Sequence, residues 1–206
     1  IMSQQKFIPT AFTVPSDFSS LAMLLSASIL LGDNIIIKTT IDDLPQADKA
    51  IFDILKSLGV IVNVEKDNVT VQSQKPLNGG KFDLSNSPDL LPPLAILSLK
   101  SSKSIHIFNV KHARYKETDR IAILARELKK LGISVEEKED GLILESTDKL
   151  HSVDLNSEND HRLFMAFCIA GMYVGNCTVS NPESIDVSYP NFISDLKRVG
   201  GKILLS

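Results

Sequence analysis

Three segments, Leu21–Leu31, Leu90–Leu99 and Leu163–Gly175, are uncharged throughout and mostly apolar. A helix with no polar face has to be buried. Pro92 and Pro93 fit only a helix's first turn, so the second of these helices is predicted to start near residue 91. Between them the period changes. Apolar residues at 47, 50, 51, 54, 55 and 58, and again at 121, 124, 125, 128 and 131, mark one-sided helices over 46–58 and 118–131. Gly59 and Gly132 stop them. A shorter helix is expected from about Pro190 to Val199, before Gly200-Gly201. Strands are expected at 11–14, 35–39, 60–64, 69–73, 81–84, 104–110, 133–137, 142–145, 153–155, 177–180 and 202–205.

The elements recur in one order. Asp17, Asp89 and Asp160 open the buried helices at spacings of 72 and 71 residues. Gly59, Gly132 and Gly200 end the amphipathic ones at spacings of 73 and 68. The chain therefore reads as a single domain, 1–206, of three internal repeats at about 11–73, 81–146 and 152–206. Its hairpins point to α+β layering, not to a doubly wound parallel sheet. Related by a pseudo-threefold axis, the buried helices run parallel and their N-termini emerge on one face. Each N-terminus carries partial positive charge and unpaired N–H groups, so the three together attract anions. Each Asp is most simply an N-cap. At Asp89 and Asp160 a second role competes, because Arg120 and Arg162 emerge on the same face. Stepping the 121–131 stripe backwards reaches Glu117 and Arg120, which puts charge on the core side of a helix start.

A net charge of −3 argues against a general nucleic-acid or membrane-surface binder. Residues 111–120 differ, with four basic and two acidic side chains, which suits a small anion. Cys168 and Cys177 lack metal spacing, and His106, His112, His151 and His161 form no HxxxH or HExxH pattern, so neither a metal nor a cofactor is expected. Residues 1–6 lack the apolar core of a signal peptide, and no uncharged run is long enough to span a bilayer, so a cytoplasmic protein is expected.

Five segments in order carry a resemblance: Asp17-Phe-Ser-Ser20; Pro88-Asp89 with Pro92 to Ala95; Lys116-Glu-Thr-Asp-Arg120; Asn159-Asp-His-Arg162 with Met165-Ala166; and Ser188-Tyr-Pro-Asn-Phe192. Together they resemble the enolpyruvyl transferases, and among these the EPSP synthase family. The resemblance implies an inside-out fold of two domains, each with three βαβαββ units around buried parallel helices. This chain corresponds to the C-terminal half. The N-terminal half of the enzyme, with further ligands, is the expected partner, and the chain is expected to be inactive alone and monomeric.

The chemistry implied is transfer of the carboxyvinyl group of phosphoenolpyruvate to the 5-hydroxyl of shikimate 3-phosphate, with release of phosphate, in chorismate and aromatic amino acid biosynthesis. Asp89 matches the family's base for the hydroxyl and Glu117 its acid and base at the methylene carbon. Lys116 matches a lysine that contacts shikimate and assists proton transfer. Arg120 and Arg162 match the arginines that grip phosphoenolpyruvate. His112 stands where some members have a shikimate-contacting Asn, and Val187 stands where some have a Lys. The rival readings are a UDP-N-acetylglucosamine enolpyruvyl transferase domain, and a non-catalytic domain that binds an anion or a protein on the same scaffold. RNA-phosphate cyclases, with related repeats, fit the acidic balance poorly.

Overall fold

The computed structural model describes residues 6, 11, 14–32, 35–41, 44–73 and 76–205. The strand expected at 11–14 and the turn at 32–34 lie partly outside them. In chain order the elements are α1 (Phe18–Leu31), β1 (Ile36–Lys38), α2 (Ile51–Ser57), β2 (Val60–Glu65) and β3 (Asn68–Ser73). Then come β4 (Gly80–Asp83), α3 (Leu91–Leu97), β5 (Ile105–Phe108), α4 (Arg120–Lys130), β6 (Ser134–Lys138) and β7 (Gly141–Glu145). The last are β8 (Asp154–Asn156), α5 (His161–Val174), β9 (Thr178–Ser180) and α6 (Phe192–Arg198).

The uncharged helices α1, α3 and α5 pack against one another in the centre. Every residue of α3 is buried. Ser26 of α1 donates to the Pro93 carbonyl at 3.4 Å, where small side chains let the two backbones approach. Sheets screen this interior. One is antiparallel, in the order β1-β3-β2; a second runs β4-β5-β7-β6, and a third pairs β8 with β9. The pairs β4–β5 and β8–β9 are parallel, with Phe82 opposite Ile107 and Leu155 opposite Val179. Each therefore needs a crossover, which α3 and α5 supply from the core side. The amphipathic α4 buries Ile121, Leu124, Ala125 and Leu128 as its period requires.

Some elements differ from the sequence expectation. The 46–58 helix begins as a 3₁₀ turn over Ala47–Ala50. The helix expected from 118 starts at Arg120, because Asp119 caps it by accepting from the Ala122 amide at 3.0 Å. Arg120 does continue the buried stripe, whereas Glu117 precedes the helix. No strand forms at Lys202–Leu205, where Leu204 is 97% exposed. Its counterpart β6 pairs with β7, whereas among the described residues no strand lies beside 202–205. A β pattern without a ladder leaves its backbone groups to water.

Asp17 and Asp160 are N-caps, of α1 and α5. Asp89 is not: it sits in a 3₁₀ turn over Pro88–Leu90, and its carboxylate bonds no helix amide. By the spacing of the other two caps Asp89 would accept from residues 91 and 92, but the Leu91 amide bonds the Pro88 carbonyl and Pro92 has no N–H, which leaves the Asp89 carboxylate available elsewhere.

Candidate functional site

The start of α4 is held in place from outside. Arg114 donates to both Asp119 oxygens at 2.9 and 3.2 Å, to Glu137 at 2.9 Å, and to the carbonyls of Lys138 and Glu139 at 2.7 and 2.9 Å. Lys111 pairs with Glu139 nearby. The 3₁₀ turn Lys111–Tyr115 is thereby pinned to the β6–β7 hairpin, which fixes where Lys116 to Arg120 emerge.

Arg120 is fully buried, yet it is surrounded by charge. Its Nε donates to Asp160 Oδ2 at 2.7 Å, Nη1 to Asp89 Oδ1 at 2.7 Å and Nη2 to Glu117 Oε2 at 2.6 Å. A further bond from Nη2 to Asp160 Oδ1 measures 3.3 Å. One guanidinium thus joins the start of α5, the turn before α3 and the segment before its own helix. A buried ion of this kind survives only when its donors are matched by acceptors. Asp160 has no exposed side-chain surface and also accepts from the Arg162 and Leu163 amides, at 2.9 and 3.2 Å. Thr118 adds a bond to Asp160 at 3.2 Å.

Arg162 is placed differently. Its side chain is 12% exposed, its Nη2 lies 3.4 Å from Asp89 Oδ2, and its buried Nη1 has no hydrogen-bond partner among the described residues. Lys116 Nζ lies 3.6 Å from Asp89 Oδ1 with a third of its side chain exposed. Glu117 is half-exposed, and its other oxygen is 3.9 Å from Nδ1 of the buried His161. By formal charge, Arg120, Arg162 and Lys116 balance Asp89, Glu117 and Asp160. The donor on Arg162 that no protein group uses is buried, while the Lys116 ammonium and the Asp89 and Glu117 carboxylates beside it are partly exposed.

Burial pushes the Asp89 carboxyl up, but Arg162, Arg120 and Lys116 outweigh it and hold the group below the ordinary carboxylate range. It is therefore ionised near neutrality. Burial and Arg162 lower His161, so the imidazole is neutral there. Asp48, in the turn before α2, goes the other way. Burial and the neighbouring charge of Asp89 push it to about 6, against the pull of Arg162 and Lys116. The bond from Ser87 Oγ to the Ala47 carbonyl, at 2.9 Å, ties its turn to that of Asp89.

A carboxyl raised in the folded state favours folding below its unfolded pKa, and that contribution is lost as pH rises through about 6. Asp48→Asn should therefore stabilise the protein at pH 7 by about 1 kcal/mol, after discounting for solvent screening. The gain should vanish below about pH 4. Urea unfolding of both proteins at the two pH values checks this, and an equal effect at both would contradict it.

The structure brings Asp89, Lys116, Glu117, Arg120 and Arg162 together. It leaves His112 exposed, outside the ion pairs just described, and Val187 76% exposed at the end of a 3₁₀ turn. Asp160 as the main partner of Arg120, His161 and Asp48 were absent from the sequence-derived site. For Asp48 a partial signal existed: it stands in the first turn of its helix, 71 residues before Asp119, the cap of α4. Cys168 and Cys177 are free, and burial pushes the Cys168 thiol up to about 12, far from a reactive thiolate. Among the described residues no group of three or more His, Cys, Asp and Glu is placed to hold a metal ion, and no helix is long and apolar enough to cross a membrane.

Buried helices converging on a charged face, with sheets outside, define an enolpyruvyl-transferase type of domain. The fold matches a solved EPSP synthase from Acinetobacter baumannii with a TM-score of 0.80, at 24% identity over 94% of this chain and 48% of that one. It matches the enolpyruvyl transferase NikO from Streptomyces tendae with a TM-score of 0.75, at 24% identity over 93% of this chain and 44% of the other. The profile of EPSP synthase (3-phosphoshikimate 1-carboxyvinyltransferase) matches residues 1–196, and the chain belongs to that family. A 3-phosphoshikimate 1-carboxyvinyltransferase from Nitrosopumilus maritimus is 62% identical over 202 residues, covering 98% of this chain and 48% of its own length. One from Methanocaldococcus jannaschii is 38% identical over 204 residues, with the same coverage. The chain spans about half the length of the curated relatives it matches.

Proposed function

We propose that these residues form one domain, with internal repeats at about 11–73, 81–146 and 152–206, of a cytoplasmic, monomeric 3-phosphoshikimate 1-carboxyvinyltransferase. The observation that carries this reading is the buried, unpartnered Nη1 of Arg162 on the face shared by Asp89, Lys116 and Glu117. The enzyme's remaining length is the partner that completes the site.

The reaction is addition followed by elimination. The 5-hydroxyl oxygen of shikimate 3-phosphate bonds to C2 of phosphoenolpyruvate as C3 gains a proton. C3 then loses a proton, the C2–O bond to phosphate breaks, and inorganic phosphate leaves. Asp89, held ionised by three cations, takes the hydroxyl proton. Glu117, half-exposed and reaching both Arg120 and His161, delivers and recovers the proton at C3. Arg162 grips a phosphate or carboxylate oxygen with the donor that no protein group uses. Lys116 neutralises charge beside the shikimate hydroxyl. Arg120, which is the reaction's second candidate clamp, has its donors on three carboxylates; it contacts phosphoenolpyruvate when the ligand displaces one of them. His112 is a candidate shikimate ligand from the exposed turn before Lys116.

The test is reassembly. The chain is combined with the complementary half of a full-length relative and turnover is followed by phosphate release. Activity should require both halves, and Glu117→Gln or Asp89→Ala should each lower it by about 10²–10⁴-fold. Turnover undiminished by both substitutions would overturn the assigned roles.

A further inference from the structure

The loop that delivers Asp160 and Arg162 is held open in an unfavourable shape. Glu158 and Asn159 are consecutive left-handed residues, with φ of 50° and 63°, a conformation that non-glycine residues adopt only when their surroundings impose it. The surroundings here are α4. Lys130 Nζ reaches the Asp154 carbonyl at 3.4 Å, and Glu127 Oε2 accepts the Asn156 amide at 3.1 Å. Arg126 Nη2 donates to Glu158 at 2.6 Å, and Arg120 Nε to Asp160 at 2.7 Å. Every second residue from 154 to 160 is gripped, in reverse order along the helix. Glu127 is the centre of the bracket. It is fully buried, and it also accepts from Arg126 Nε and Lys130 Nζ, both at 2.7 Å. It lies two helical turns beyond Arg120, on the same side of α4.

We propose that Glu127 is a positioning residue for the anion-binding face: by holding Asn156 and aligning Arg126 and Lys130, it fixes the 154–160 segment that presents Asp160 to Arg120 and Arg162 to the ligand. The inference rests on the reading of Arg162 as a ligand-binding group, but its geometry stands apart from any ligand. A purely stabilising Glu127 would support the whole fold evenly. A positioning Glu127 supports one loop.

Amide hydrogen exchange on the 206-residue chain separates the two. The Arg162 and Leu163 amides both bond to Asp160 Oδ1, while Ser19 and Ser20 make the matching cap on Asp17, whose neighbours Ser16 and Phe18 bond to Gln46 and to no described residue of α4. In Glu127→Gln the Arg162 and Leu163 amides should exchange about tenfold faster, and those of Ser19 and Ser20 less than about twofold faster. The Arg120 Nε–H resonance should shift as Asp160 moves. If that variant fails to fold, the half-exposed Arg126→Gln, which frees Glu158, should give the same selective acceleration at about threefold. Equal acceleration at both caps, or none at either, overturns the proposal. Exchange reads the loop whether or not Arg162 binds phosphoenolpyruvate, so a failed binding experiment would leave this result interpretable.

Discussion

Asp160→Ala should lower the unfolding free energy by about 4 kcal/mol, the range seen when one partner of a buried ion pair is removed. Two losses combine. The fully buried Arg120 guanidinium loses one of its three carboxylates, the one 2.7 Å from Nε, and that donor is left where water cannot reach it. The α5 N-terminus loses its cap, a contribution of about 1 kcal/mol by itself. Asp160→Asn keeps an acceptor for the Arg162 and Leu163 amides but not the charge, so it should cost less, about 2–3 kcal/mol. Asp17→Ala supplies the control. That residue caps α1 by the same geometry but pairs with no buried arginine, so its loss should cost about 1 kcal/mol. Urea denaturation of the three variants measures the differences. Equal losses for Asp160→Ala and Asp17→Ala would mean that Asp160 is only a cap.

Arg162→Ala should separate stability from function. The Nη1 group is buried without a partner, which costs about 1–3 kcal/mol in desolvation. Removing it relieves that cost while withdrawing a cation from Asp89, so stability should remain within about 1 kcal/mol of the wild type. Turnover in the reassembled enzyme should fall by about 10²–10³-fold, as when a single oriented donor to a developing anion is lost. Arg162→Lys should recover little, because an ammonium cannot present two parallel donors to a carboxylate or phosphate. A loss of stability matching the loss of activity would make Arg162 a structural residue. Stability at a functional face is commonly given up for binding, and a buried donor without an acceptor is a specific instance.

The layers of the fold were legible because local pattern encodes them. Leu21–Leu31 and Leu163–Gly175 carry no polar face, and a helix with none has one place to go. Pro92 carried a further signal, since it removes one of the two amides that Asp89 would bond as a cap. The site residues were legible as a set because short motifs marked Asp89, Lys116–Arg120 and Arg162. Their pairing was not. Arg120 and Asp160 lie 40 residues apart, and nothing local to either says that one guanidinium will hold three carboxylates from three elements. Asp48 escaped for the same reason, because its raised pKa comes from burial and then from Asp89, both set by neighbours in space. The strand expected at Lys202–Leu205 shows the converse error, since a short apolar run supplies strand propensity but no ladder partner.

The central claim is that the face built where α1, α3 and α5 begin holds a phosphorylated carboxylate through Arg162 and Lys116. Titrating this chain with phosphoenolpyruvate to about 10 mM, a range that detects millimolar binding, while following its ¹H–¹⁵N spectra tests it most directly. Shifts concentrated at the Arg162 side chain and at the amides of residues 17–20, 89–91, 116–120 and 160–163 are predicted. Shifts confined to the opposite ends of those helices, or none near Arg162, would contradict it.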